Sequence, residues 1–462
     1  MEFLNLKITP KNIPVIDKSY IPLGMFFTEY LKKAKEPFAI ALERSGGLVS
    51  IYDTAVHGTA DMYEADCYYA ERLAKILLWA RGGYKIYVCG NKKVADYLKN
   101  IYSDGGLRAF DSKFMARVYE REFEVVHVDY SEKPVEKESS MPVGRHLDGC
   151  RIGFDAGGSD LKVSAVIDGE SVFSKEIVWH PKINSDPDYH FKGIVDALKT
   201  AAAKMPRVDA IGVSSAGIYI GGRTMVASLF IKVPEDDFNK KIKDIYPRAA
   251  AEIGDVPIEV ANDGDVTALA GAMSLSDTNV LGIAMGTSQA GGFVDKNGNI
   301  TGWLNELAFV PVDANPNAMA DEWSDDIGCG VKYFSQDGVI KLAGMAGIKL
   351  DDSLPPGERL LEVQKLMESK DARAADIFND IGIYFGHSAV IYSMFYDIKH
   401  ILLLGRVMSG EGGNIIYSAA NKVLSEEYPE LAKKITLHLP DEKIRRVGQS
   451  VAAASLPALR VK

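Results

Sequence analysis

The sequence predicts an α/β chain of two or three domains, and three observations carry that expectation. The chain runs to 462 residues, more than one hydrophobic core usually serves. A polar, proline-punctuated run at 131–149 separates a mixed α/β stretch, 1–130, from everything after it. Beyond that linker, a figure of strand, glycine-plus-hydroxyl turn, strand and hairpin occurs twice, about 130 residues apart, which suggests an internally duplicated fold.

In the N-terminal stretch, 37–42 and 48–52 are short apolar strand candidates broken by the turn-forming Ser45-Gly46-Gly47. Residues 68–80 have helical periodicity and stop at Gly82-Gly83. Residues 84–88 alternate like a strand, and 92–101 read as a helix. After the linker, 151–154 and 161–167 are strands joined by the tight turn Asp155-Ala156-Gly157-Gly158-Ser159-Asp160. Asp168-Gly169 is a hairpin signal, with a third strand at 171–178. The second copy has strands at 280–285 and 290–295, the turn Gly286-Thr287-Ser288-Gln289 between them, and Asn297-Gly298 as the hairpin.

Composition narrows the function classes. Hydrophobic residues make up 47% and charged residues 25%, an ordinary globular balance, with a net charge of −10. An acidic chain with no recognisable helix-turn-helix disfavours nucleic acid as the partner, since phosphate contacts need clustered Lys and Arg. The four cysteines, Cys67, Cys89, Cys150 and Cys329, form no C-x-x-C pair, so neither a zinc ribbon nor a disulfide framework is expected. No apolar stretch approaches the roughly 20 residues that span a bilayer, and the N-terminus turns polar too soon for a signal peptide. A cytoplasmic protein with no membrane partner is the expectation.

The first turn has the parts of an anion site. Gly157 and Gly158 let backbone N–H groups approach a phosphate, Ser159 adds a hydroxyl, and Lys162 a cation. Asp155, at a strand end, is placed to hold Mg²⁺ directly or through water. A plain glycine-rich hairpin would explain the same residues. The second small-residue loop, Gly286-Thr287-Ser288, weighs against that simpler reading. The sequence contains neither G-x-x-x-x-G-K-[ST] nor G-x-G-x-x-G, so P-loop and Rossmann readings lose support.

These motifs resemble, in order, those of the ROK (repressor, open reading frame, kinase) sugar kinases of the actin-like ATPase superfamily. Asp155-Ala156-Gly157-Gly158-Ser159 looks like the first phosphate motif. Gly212 to Gly217 is similar to the sugar-side glycine turn, and Ala261-Asn262-Asp263-Gly264-Asp265 to the Asn-Asp block. Gly286-Thr287-Ser288 matches the second phosphate loop, and 402–404 ending in Gly405 the segment leading to the adenine site. The resemblance covers about 151–462. It implies a two-lobed actin-like (ribonuclease H-like) fold with a cleft, a lobe boundary near 271 and a last helix returning to the first lobe; 1–130 stands apart as a separate N-terminal α/β domain. It also implies ATP and Mg²⁺ as cofactors and a carbohydrate as the small-molecule partner. Asp263 would be the general base. Ser215, Gly217, Asn262, Asn305 and Glu306 would contact the sugar. Asn262-Asp263 also reads as a helix N-cap, a role compatible with catalysis.

The chain departs from the family at the Gly-Glu-x-Gly-His segment, where it has Asn305-Glu306-Leu307-Ala308-Phe309. Phe309 replaces a histidine that grips sugar and binds zinc in the family, and the cysteine-rich zinc segment is reduced to Cys329, so zinc is not expected. Asp321 to Asp326 offers acidic and aromatic groups suited to polyols, or a solvated acidic loop with Trp323 packed inward. A carbohydrate kinase is the leading reading. A sugar-sensing regulator without catalysis and an ATPase without a small acceptor are the alternatives. The N-terminal domain is left to form a homodimer, cover the site or bind a partner.

Overall fold

The computed structural model describes residues 1–138, 143–158, 160–439 and 448–460. Two compact units emerge. The first comprises Met1–Ser139, Ile283–Gly291 and Trp303–Leu439; the second comprises Ser140–Gly282, Gly292–Gly302 and Pro440–Lys462. The N-terminal residues therefore share a unit with 303–439.

Along the chain, β1 (Glu2–Phe3) and β2 (Leu6–Lys7) precede α1 (Leu23–Leu31), β3 (Glu36–Arg44), β4 (Leu48–Val56) and α2 (Tyr63–Arg81). Then come β5 (Lys85–Cys89), α3 (Lys92–Ile101), α4 (Ala109–Tyr119) and β6 (Glu124–Val128). These strands form a sheet in the order β4-β3-β5-β6. The β3–β4 hairpin is antiparallel from Glu36↔Val56 to Arg44↔Leu48, and Gly46 and Gly47 turn it at φ 75° and 68°. Gly82 ends α2 at φ 84°, as the sequence predicts. The expected strands and helices of this stretch are all present. Strands β1, β2 and β6 and helices α1 and α4 lie outside the expected elements.

Helix α2 is buried along nearly its whole length, including Asp66, Glu71, Arg72 and Lys75. The Arg72 and Lys75 charges survive burial because carboxylates face them, and Asp66 accepts from Tyr30 Oη and the N–H groups of His57 and Gly58. Asp326 accepts from Arg108 Nη2 at 2.8 Å and from both Arg72 Nη atoms at 3.2 Å, and lies 2.9 Å from Lys75 Nζ. Burial opposes the Asp326 charge, but Arg72 and Lys75 outweigh it and hold the carboxyl below its ordinary range. This network ties the 321–329 loop to α2 and to Arg108, just before α4. Asp321 and Asp326 point inward while Trp323 is 56% exposed, the reverse of an inward-packed tryptophan. Asp326 answers the buried cations, while Asp321 accepts from Ser324 N–H and Oγ–H and shapes the loop.

The second unit is built on β7 (Cys150–Ala156), β8 (Asp160–Ile167), β9 (Glu170–Val178), β10 (Ala210–Ser215) and β13 (Ile258–Asn262). Between them lie α5 (Pro187–Ala202), the hairpin β11 (Ile218–Ile220) and β12 (Arg223–Val226), and short helices α6 (Glu235–Asp237) and α7 (Ile245–Ala251). Helix α8 (Asp263–Leu275) follows β13 directly. The sheet order is β13-β10-β7-β8-β9. Strands β7, β10 and β13 are parallel, and β8 is antiparallel to both its neighbours. Asp168 and Gly169 both take positive φ, 48° and 85°, the two-residue turn the dipeptide predicts.

Two further strands, β14 (Val280–Met285) and β15 (Gln289–Val294), cross from one unit to the other. The Asn297-Gly298 turn differs from its expected two-residue form. Asp295 N–H donates to Asn299 O at 2.9 Å and Gly298 N–H to Asp295 O at 3.0 Å, giving a three-residue loop with only Gly298 at positive φ (81°). The Asp295 carboxylate dictates this by accepting from the N–H groups of Asn297 and Asn299.

The chain then continues through α9 (Gln336–Met345), α10 (Pro356–Glu368), α11 (Ala372–Phe395), β16 (His400–Leu404), α12 (Gly410–Glu427), α13 (Pro429–Ala432), β17 (Thr436–His438) and α14 (Gln449–Ala454). Strands order as β15-β14-β16-β17. Helix α14 lies on β7 and β10 so closely that a Cβ on Gly212 would sit 1.7 Å from Ala453 O, and one on Gly153 2.2 Å from Ser450 O. These two glycines are cross-strand partners. Only residues without a Cβ permit that approach. Among the described residues, no helix is long and apolar enough to cross a membrane.

Candidate active site

In the second unit the parallel strands β7, β10 and β13 end side by side, and the residue register sets what meets there. Asp155 is opposite Ser214 on β10 and Lys162 on β8. Ser215 is opposite Asn262 on β13. Carboxyl ends of parallel strands are where open α/β sheets bind ligands. The sheet thus brings Asp155, Ser215, Gly217, Asn262 and Asp263 to one edge.

Ser214 Oγ donates to Asp155 Oδ1 at 2.7 Å. Burial raises the Asp155 pKa to about 6, Ser214 works against the rise, and the nearby Asp263 charge adds to it. Burial also raises Asp263, opposed by the Gly264 N–H. Two buried carboxylates oppose each other's ionisation, so a cation between them would favour the charged form of both.

The Asn262–Asp265 run is explained residue by residue. Asn262 Oδ1 accepts from Gly264 N–H at 2.8 Å, capping α8, and its Nδ2 donates to Gly217 O at 2.8 Å. Asp263 Oδ1 accepts from the same Gly264 N–H at 3.0 Å. A Cβ on Gly292 would lie 2.1 Å from Gly264 O, so strand and helix meet backbone to backbone. Asp265 accepts from Phe293 N–H at 3.1 Å. Gly217 needs its lack of a side chain: φ is 141°, and a Cβ would meet Val226 O at 2.6 Å. Ser215 is fully buried, with its hydroxyl between Tyr246 Oη and Tyr219 Oη, each at 2.7 Å. Tyr219 comes from the neighbouring β11, four residues on, whereas Tyr246 gave no sequence signal because it lies 31 residues away.

The first glycine turn closes with Gly157 N–H donating to Asp160 O at 2.9 Å. Gly158 is exposed. A Cβ there would meet only the end of the Lys182 side chain, at 3.5 and 3.6 Å. Lys182 is thus a second cation beside the turn, missed because nothing around it in sequence marks it. Lys162 Nζ lies 3.6 Å from Asp160 Oδ2. Ser159 lies outside the described residues.

In the first unit, Gly286 N–H donates to Ser288 O and Gly286 O accepts from Gln336 N–H, both at 2.9 Å. The turn therefore abuts the start of α9, with Thr287 and Ser288 exposed. Gly405, at φ 95°, lies flat against β14, where a Cβ would be 2.2 Å from Met285 O. Gly286 and Gly405 thus flank one residue. Asn305 takes φ 52°, a left-handed conformation that asparagine tolerates better than most residues; this is how it stands where the family has glycine. Its Oδ1 accepts from Tyr396 Oη at 2.9 Å. Phe309 stacks on Trp79 with ring centroids 4.1 Å apart. Cys329 is buried, with Sγ 3.6 Å from Asp326 Oδ2.

Among the described residues, no three His, Cys, Asp or Glu side chains group as a metal site. Asp155 and Asp263 are two carboxylates, a set that suits Mg²⁺ arriving on phosphate oxygens better than a cation caged by protein alone.

The strand order, counted within the second unit as 3-2-1-4-5 with the second strand antiparallel, places the chain in the actin-like, ribonuclease H-like class. More narrowly, the fold is that of ROK proteins. It matches a ROK-family transcriptional regulator, a homologue of the E. coli MLC protein, with TM-score 0.54 and 17% identity, over 67% of this chain and 79% of that one. It matches the ROK hexokinase from Thermus thermophilus with TM-score 0.51 and 19% identity, over 66% of this chain and 96% of that one. About a third of this chain lies outside the fold shared with the hexokinase. A kinase and a regulator both carry this fold, so the fold alone does not separate them. No protein-family model matches the sequence, and no curated protein matches it.

Proposed function

We propose that the protein is an ATP- and Mg²⁺-dependent carbohydrate kinase that transfers the γ-phosphate to a hydroxyl of a hexose or hexose derivative. The observation that carries the reading is the meeting of Asp155 and Asp263 at the ends of β7 and β13, both with raised pKa. A carboxylate lifted by burial is a stronger base than an exposed one, which suits Asp263 to take the proton from an acceptor hydroxyl. Asp155 would hold Mg²⁺, which when bound supplies positive charge to the phosphates. Gly158, Lys162 and Lys182 would form one phosphate-binding set, joined by the Ser159 hydroxyl that the sequence motif offers, with Gly157 shaping the turn through its N–H to Asp160 O. Gly286, Thr287 and Ser288 form another, with Gly405 keeping the neighbouring backbone close. In the second unit Asn262 and Gly217 would contact the sugar, with Ser215 shaping their loop; in the first unit Glu306 is the acceptor-binding candidate, with Asn305 shaping its loop.

The test is ATP consumption against a panel of hexoses and N-acetylhexosamines. Consumption that requires a sugar supports the kinase. Consumption without sugar points to an ATPase lacking a small acceptor. The fold match to a ROK regulator keeps a second reading, a sugar-sensing regulator; sugar-induced thermal stabilisation with no ATP consumption would favour it.

A further inference from the structure

The last carbonyls of any helix lack intrahelical partners and must find them elsewhere. In α2, Leu78 O is satisfied by Gly82 N–H at 2.9 Å. The next two carbonyls are satisfied from outside the helix. Trp79 O accepts from Glu306 N–H and Ala80 O from Asn305 N–H, both at 3.0 Å. The loop 303–309 thus caps the C-terminus of α2, and α2 fixes the backbone of that loop in return.

Side chains reinforce the join. Trp79 is fully buried, its Nε1–H donates to Asp111 Oδ1 at 2.7 Å, and its ring stacks on Phe309. Gly82 presses against the loop so closely that a Cβ would lie 2.7 Å from Leu304 Cγ. The Arg81 guanidinium lies 3.2 Å from the centre of the Trp303 ring and 5.2 Å from that of Tyr396, and Tyr396 holds the Asn305 side chain.

We infer that α2 is a positioning element for Glu306, acting through loop 303–309, and that Trp79 is its principal positioning residue. The inference rests on the reading of Glu306 as an acceptor-binding residue. It assigns the N-terminal stretch a part in acceptor specificity: the helix fixes the backbone from which the Glu306 carboxylate projects.

The test compares full-length wild type with Trp79→Ala, Trp79→Phe and Phe309→Leu. It measures hydrogen exchange across 303–309, acceptor KM and kcat, and the Kd of Mg-ATP. Trp79→Ala is expected to speed exchange at Asn305 and Glu306 by about tenfold or more. Acceptor KM should rise about tenfold or more, with the Mg-ATP Kd changing less than about twofold. Trp79→Phe, which keeps the stack, restores both. Phe309→Leu removes the other half of the stack and shifts both readouts in the same direction, covering the case in which Trp79→Ala does not fold. Wild-type exchange rates at 305 and 306 in the folded variants overturn the inference. So does loss of acceptor and nucleotide affinity in equal measure. If wild type phosphorylates no acceptor, the kinase reading falls and the exchange rates alone decide whether α2 holds the loop.

Discussion

Asp263→Asn and Asn262→Ala separate catalysis from helix capping at neighbouring positions. The Gly264 N–H is shared by Asn262 Oδ1 at 2.8 Å and Asp263 Oδ1 at 3.0 Å. In Asp263→Asn, Asn262 still caps α8 and the new amide oxygen can still accept, so the melting temperature should change little. Turnover should fall by roughly 10²- to 10⁴-fold, the usual range for loss of a general base. Asn262→Ala does the opposite to the fold. It removes a cap worth about 1 kcal/mol and the bond to Gly217 O, worth about another 1 kcal/mol. Together, about 2 kcal/mol corresponds to a fall of roughly 4–8 °C in a unit of this size. The assay is coupled ADP release with melting curves recorded alongside. Turnover retained by a well-folded Asp263→Asn variant would refute the base assignment. A variant that melts as early as Asn262→Ala and loses activity in proportion would reduce Asp263 to a capping residue.

Three further outcomes follow from the same arrangement of residues. Asp155 is raised from 3.8 to about 6 by burial, so its contribution to the stability of the unliganded fold is complete below pH 3.8 and lost as pH rises through about 6. Mg-nucleotide affinity, which needs the carboxylate, should rise over the same window. The difference between wild type and Asp155→Asn in melting temperature and in Mg-ATP Kd from pH 4 to 8 measures both; a difference independent of pH would remove the metal role. Asp326→Asn takes the shared carboxylate from Arg72, Lys75 and Arg108 and should destabilise by about 3–5 kcal/mol, read by urea unfolding; a loss below about 1 kcal/mol would mean that Glu71 and Asp111 suffice. Gly212→Ala forces a methyl against Ala453 O and should destabilise by about 1–3 kcal/mol or more, whereas full stability would show that α14 can move aside.

Local elements and the chemical menu were legible in the amino acids alone. Strand β7, the 157–160 turn and β8 were legible because glycines and alternating apolar residues act within a few positions. Asp168-Gly169 specified its turn because a short loop with two positive φ angles admits few residue types. Asn262 announced a cap because a short amide before a helix has one common use. Whatever depends on partners far along the chain emerged only on folding. The charges of α2 are unreadable in sequence, since a helix of mixed polarity looks solvent-facing until Asp326 arrives from elsewhere in the chain. Ser215 looked available until Tyr246, 31 residues on, met its hydroxyl. Phe309 looked like a lost ligand until Trp79 supplied a partner for its ring. Helix α2 showed its link to Glu306 only in three dimensions, because the hydrogen bonds that make it come from backbone groups every residue carries, and no side-chain pattern records where a helix's last carbonyls find their donors.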